Sequence, residues 1–151
     1  MTPEEKLKEL GIELPEMKGF HPAVELGVLT SNNMLYLSGS TPGDKSLKGR
    51  VGDVYTTEQG YDIARDCATQ QLAIAKSILG DLSKIRRVVK LLGMVNAAPG
   101  YGETTQVIHG ASEFYHEVFG DKGKHARSAV GLQALPNEVP VEIETIFELE
   151  G

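Results

Sequence analysis

Two residues near the end of the chain carry groups suited to a small anionic substrate: Arg127 in HARSAVGLQALP, and Glu142 in VPVEIETIFELE. A guanidinium is a planar, two-pronged donor that holds a carboxylate in one orientation. A glutamate withdrawn from water has a raised pKa and can relay protons through a water near neutral pH. Each also has a plainer reading, Arg127 as an exposed arginine at a strand start and Glu142 as a solvated or interface side chain. The other tail glutamates, Glu144, Glu148 and Glu150, carry only the plainer reading.

Other chemistries find little support. The glycines of SGSTPGDKSLKG spell neither a phosphate loop nor a dinucleotide fingerprint. His21, His109, His116 and His125 lack the H-x-x-x-H or H-E-x-x-H spacing of a metal site, and no G-x-S-x-G elbow occurs. The single cysteine, Cys67, excludes an intrachain disulfide and lies among Ala64, Ala68 and Leu72, which suits a buried structural thiol.

These groups sit in a chain of 151 residues with 40% hydrophobic and 24% charged residues, enough apolar material for one compact domain over residues 1–151. The formal charge of −6 argues against general affinity for polyanions, so nucleic acid is not an expected partner. The one basic cluster, Lys84, Arg86, Arg87 and Lys90, reads as a solvated helix-to-strand junction. No apolar run approaches the ~20 residues of a membrane span, and the acidic start MTPEEKLKEL lacks a signal-peptide core, so a cytoplasmic location is the expectation.

Several elements must position the tail. Thr2-Pro3-Glu4-Glu5 predicts a short leading helix stopped at Gly11, within an extension over residues 1–19. Phe20 to Leu29 is expected to pair with Met34 to Ser38 across the turn Ser31-Asn32-Asn33. Residues 40–53 read as an irregular loop. A capping box at Thr56 to Gln59 opens a helix running to Gly80, with Ala64, Cys67, Ala68, Leu72 and Ala75 on its buried face. Arg86 to Ala98 predicts a central strand, and Thr104 to Phe119 a second long helix ended by Gly120. Two tail strands follow, joined by the Pro136 to Pro140 turn, with Arg127 at the start of the first and Glu142 on the polar side of its partner.

The order ββ, α, β, α, ββ predicts an α+β mixed sheet with both long helices on one face. In the last strand Val141, Ile143, Thr145, Phe147 and Leu149 belong under the helices, and Glu142, Glu144, Ile146, Glu148 and Glu150 on the other side. Met34, Tyr36 and the pair Leu91-Leu92 add apolar surface to that uncovered face, which self-association would bury.

The segments LYLSGSTP, HARSAVGLQALP and VPVEIETI resemble, in order and spacing, the RidA/YjgF family, also called the endoribonuclease L-PSP family. Its marks are an S-G-x-x-P segment and an A-R-S-x-V-x-x-x-x-L-P tail followed by V-E-I-E. The likeness runs from about Phe20 to Glu148, and GDLSKIRRVVKLLGMVNAAPGY and VIHGASEFYHEVFG look more like the longer-looped YjgF-like endoribonuclease branch than like the typical RidA deaminases. The resemblance implies a chorismate-mutase-like fold and a homotrimer with clefts between subunits. It implies enamine and imine deamination, for instance of 2-aminoacrylate to a 2-oxo acid and ammonia, without a cofactor. Arg127 would bind the substrate carboxylate and Glu142 would position water, with Ser38, Gly39, Ser128 and Ala129 in the pocket. Three positions depart from the family's pattern: Ala129 stands where cysteine is frequent, Ala23 where a tyrosine is usual, and His109 where an asparagine faces the cleft. These departures motivate a second expectation, a trimeric protein that binds small carboxylates without turnover. Ribonuclease action or translation inhibition, carried by the family's older name, is the weakest of the three on charge grounds.

Overall fold

The computed structural model describes residues 1–151. A five-stranded mixed sheet has the order β1-β2-β5-β3-β4, where β1 is Gly27–Leu29, β2 Met34–Leu37, β3 Ile85–Asn96, β4 Ala126–Leu132 and β5 Val141–Leu149. All neighbours are antiparallel except β3 and β4, which run parallel because the long helix between them serves as the crossover. Three helices accompany the sheet: α1 Pro3–Glu9, α2 Thr57–Leu79 and α3 Thr104–Phe119.

Local signals set the helix ends. Thr2 and Thr56 both form full capping boxes, with Glu5 and Gln59 respectively. Gly80 ends α2 in the left-handed conformation at φ 78°, its N–H bonding the carbonyl of Lys76 at 2.8 Å. The small face of α2 then lets the helices close on the sheet: Ala64, Cys67, Ala68, Leu72 and Ala75 are fully buried. Burial pushes the Cys67 thiol well above its ordinary pKa, as an inert structural residue requires. At the tightest helix crossing a side chain on Gly110 of α3 would strike the backbone carbonyl of Tyr61. Phe114, Tyr115 and Phe147 fill the layer beneath, where the Tyr115 hydroxyl meets Thr145 Oγ1 at 2.7 Å.

Both long helices cover one face, the face of Val141, Ile143, Thr145 and Phe147, all buried. The opposite face bears Glu142, Glu144 and Glu148 together with apolar side chains, among which Val28 is 53% and Tyr36 46% exposed. Loop 40–53 forms no helix or ladder strand, only isolated bridges such as Ser40 with Ile143.

Two expectations are corrected. The first strand does not begin at Phe20, because Pro22 has no N–H to give a ladder and the N–H of Ala23 closes onto His21 Nδ1 at 3.0 Å. More consequentially, the tail is not a hairpin. β3 lies between β4 and β5, pairing parallel to one and antiparallel to the other.

Candidate functional site

Glu142 stands on β5 one residue outside the buried alternation, so its side chain leaves the sheet on the open face. Beyond Leu37 the chain continues alongside β5, where Ser40 and Ile143 exchange both backbone hydrogen bonds at 2.8 and 3.0 Å. That pairing sets Gly39 directly beneath the carboxylate. A Cβ on Gly39 would collide with Glu142 Oε2 and lie 3.0 Å from its Cδ, so only glycine permits this approach. Gln71, fully buried in α2, braces the segment by donating to the Ser38 carbonyl at 2.8 Å and to Ser40 Oγ at 2.7 Å. Ser38 spends its own hydroxyl on the Glu25 carbonyl at 2.7 Å.

Burial first, and the nearby charge of Glu144 second, raise the pKa of Glu142 above the usual glutamate value; no hydrogen bond from the chain offsets them. The carboxylate opens into a groove of about 920 Å³ shared with Ser38, Gly39, Lys45 and Asn137.

Arg127 is built differently. It lies on β4 opposite Leu91, a buried residue of the helix-covered face, so its side chain rises toward α3. There Nη1 reaches His109 Nδ1 at 3.0 Å and Ser112 Oγ at 3.2 Å. A guanidinium only donates, so His109 must present the Nδ1 lone pair. With its oxygen accepting from Arg127, Ser112 gives its proton to His125 Nε2 at 2.9 Å, and His125 Nδ1–H donates to the Gly123 carbonyl at 2.6 Å. His125 has its pKa lowered, chiefly by burial with Arg127 adding to it against the Gly123 hydrogen bond, which suits the neutral ring this chain of donors requires. Burial also lowers the Arg127 pKa, though an arginine keeps its charge at any physiological pH. The groove before it measures about 560 Å³ and is lined by no hydrophobic residue, with Glu113, His116 and Lys124 on its walls.

The sequence-predicted residues therefore fall into separate places. His109 does meet Arg127. Ser38 and Gly39 do meet Glu142. Arg127 and Glu142, however, do not share a cavity: their β3 partners are Leu91 and Met94, three residues apart and on opposite faces. Ser128 points to the open face, where Lys90 Nζ reaches its Oγ at 3.3 Å. Ala129 gives its carbonyl to Thr104 Oγ1 at 3.3 Å and lines a third groove, with Arg50 and Tyr101.

Ser112, His125 and Gln71 were not foreseen. Ser112 lies one helical turn after His109, and His125 two residues before Arg127 on the same side of the extended chain, so spacing alone placed both beside residues already under suspicion. Gln71 had only the weak signal of a polar side chain on an apolar helix face.

Comparison with known proteins gives one consistent picture. Residues 4–142 match the family model described as YjgF/chorismate mutase-like, putative endoribonuclease. Protein TCP17 of Trypanosoma cruzi is 37% identical over 150 residues, covering 96% of this chain and 92% of that protein. The crystal structure of Atu1372 from Agrobacterium tumefaciens, a protein of unknown function, aligns over 99% of this chain and 93% of its own at 40% identity, with a TM-score of 0.89. A structure from Shewanella oneidensis, described as a putative endoribonuclease, covers 99% of this chain and all of its own at 29% identity, with a TM-score of 0.93.

Proposed function

Since the chain belongs to the YjgF/chorismate mutase-like family, we propose that it hydrolyses small 2-imino acids and their enamine tautomers, such as 2-aminoacrylate, to 2-oxo acids and ammonia. The observation that carries this reading is Glu142, a carboxylate of raised pKa free of hydrogen bonds from the chain and seated over Gly39 at the floor of a groove. A carboxylate shifted upward in this way and open to a groove can take a proton from a bound water and return it.

Hydrolysis needs one fixed carboxylate, one water and one proton shuttle. The enamine tautomerises to the imine, whose C2 is electrophilic. Glu142 accepts a proton from the water as its oxygen adds to C2 and the C=N double bond opens, then passes that proton to the nitrogen to give a neutral carbinolamine. Glu142 next takes the carbinolamine hydroxyl proton and passes it to the amine, so the C–N bond breaks as the C=O bond forms, and ammonia leaves with the 2-oxo acid behind. Arg127 holds the substrate carboxylate by two parallel N–H donors, its orientation preset by His109 and Ser112.

Arg127 and Glu142 lie on opposite faces of one chain, so this mechanism requires a second copy. In a homotrimer the open faces meet around an axis, and Arg127 at the edge strand of one copy meets the Glu142 groove of the next. The mixed acidic and apolar open face and the unpaired outer edge of β4 support that arrangement.

The test couples the protein to a dehydratase that generates imino acids and follows 2-oxo acid formation, with light scattering for mass. Acceleration lost in Arg127→Ala and in Glu142→Gln is expected. No acceleration in the wild type, or a stable monomer, refutes the proposal. Carboxylate binding that needs Arg127, with no turnover over a broad imine panel, would instead establish the binding-only reading that His109, Ala23 and Ala129 motivate. The acidic open face speaks against RNA as substrate, and failure to retain RNA at any salt concentration would close that possibility.

A further inference from the structure

The Glu142 groove has a wall that the proposed mechanism leaves unused. Pro15 to Lys18 and Phe20 line it in a stretch that is neither helix nor strand. The segment is anchored from below: α1 is tied down by Glu4, which pairs with Lys76 at 2.9 Å and accepts the Leu82 N–H at 2.6 Å, while Leu7 is buried and Leu14 and Met17 pack against the core. Phe20 is treated differently. Its ring is 61% exposed at the margin of the groove. Met17, Leu26 and Ile74 are the other apolar side chains that line this cavity, which also holds Glu142 over Gly39.

Size matters here as well. The groove encloses about 920 Å³, near the upper end of the ~300–1,000 Å³ range that holds drug-sized ligands. A three-carbon acid would fill only a small part of it. Apolar side chains beside a few fixed polar groups make a site that selects its ligand by side-chain shape.

We infer that Met17 and Phe20 of the N-terminal segment form a side-chain subsite of the Glu142 groove, and that the site takes 2-imino acids with branched or aromatic side chains in preference to 2-aminoacrylate. The imino-acid part of this statement rests on the deaminase reading, whereas the subsite does not. Stable 2-oxo acids, the corresponding products, therefore probe it independently. Calorimetry on the intact protein would compare pyruvate with 4-methyl-2-oxopentanoate and phenylpyruvate.

The wild type is expected to bind the larger acids about tenfold or more tightly than pyruvate, since one or a few methylenes in an apolar pocket are worth roughly 10- to 200-fold. Phe20→Ala should bring that ratio to within about threefold, and Phe20→Leu should restore most of it. Equal affinity for all three acids in the wild type, no binding of any, or an unchanged ratio in Phe20→Ala would overturn the inference. So would a change of assembly mass in Phe20→Ala, which would show that the ring is covered by a second copy. Imine hydrolysis is scored separately: intact selectivity without turnover refutes the catalytic reading and leaves the subsite standing.

Discussion

Arg127 and Glu142 occupy opposite faces of one sheet, and this separation gives a quantitative expectation for mixed assemblies. Co-express Arg127→Ala with Glu142→Gln at equal levels. Each variant expressed alone is expected to be inactive, because every cleft of the proposed homotrimer then lacks one of the two groups. In a cyclic trimer a cleft joins the arginine of one copy to the glutamate of the next. Any trimer containing both variants, in either ratio, then has one boundary where an intact arginine faces an intact glutamate. Random assembly makes roughly three-quarters of trimers mixed, each with one working cleft of three, so about a quarter of the wild-type sites return. The assay is 2-oxo acid formation per mole of subunit, with mass spectrometry of native complexes to count mixed species. The same proteins mixed after purification, without subunit exchange, serve as the blank. Mixed trimers that form but regain no activity would refute the shared cleft, since two groups drawn from one chain cannot complement.

Other consequences follow from single contacts. In Gly39→Ala the Glu142 Cδ would stand 3.0 Å from the new methyl, against the ~3.5–4.0 Å that non-bonded carbons prefer. The carboxylate must move by roughly 0.5–1 Å, enough to cost about 10²-fold in kcat, while the melting temperature stays near that of the wild type because only a side-chain end yields. Gly110→Ala is the opposite case: its methyl meets the Tyr61 carbonyl, which cannot yield, so a loss of about 1–3 kcal/mol should appear in urea unfolding with activity per folded subunit retained. Ser112→Ala removes one donor-acceptor link from Arg127 and leaves His125 Nε2 without a partner; KM should rise about tenfold from a charged hydrogen bond worth about 1.5 kcal/mol, with kcat little changed and Ser112→Thr restoring the wild-type value. For Glu142 the folded-state pKa lies above the unfolded one, so between them the folded state binds more protons and stability declines as pH rises. Glu142→Gln should therefore melt higher than the wild type at pH 7.5, the difference vanishing below about pH 4 where the unfolded glutamate is protonated too, and wild-type turnover should climb with pH across a range above that of an ordinary glutamate.

How much of this was readable beforehand depended on distance along the chain. Helix ends rest on contacts within four residues, and Thr56, Gly80 and Gly120 fall where capping chemistry puts them. The face of each β5 residue follows from period-two alternation, so Glu142 was assigned correctly to the side away from Val141 and Phe147. Strand order is another matter. It is decided by which strands bury α2 and α3 best, a sum over the whole core that no local pattern encodes. Pro136 to Pro140 reads as a hairpin turn, and proximity in sequence suggested that Arg127 and Glu142 meet.

The parallel pairing of β4 with β3 changes what that proximity means. The crossover through α3 lays β4 parallel on the outer side of β3, and β5 then returns on the inner side. The turn at Pro136 thus carries the chain across the end of β3, with Asn96 N–H bonding the Pro140 carbonyl at 2.9 Å and Asn96 Nδ2 the Val139 carbonyl at 3.2 Å. Arg127 is left on an edge strand whose outer backbone has no partner in its own chain, beside a guanidinium scaffold already set by His109, Ser112 and His125. Glu142 is left on a sheet face that its own helices do not cover. Each half is preorganised in its own chain, and under the proposed function neither completes the reaction alone, so assembly would be a condition of catalysis and would also bury the half-exposed glutamate further. Closing the face around it would add desolvation to the carboxylate and raise its pKa further as the cleft forms.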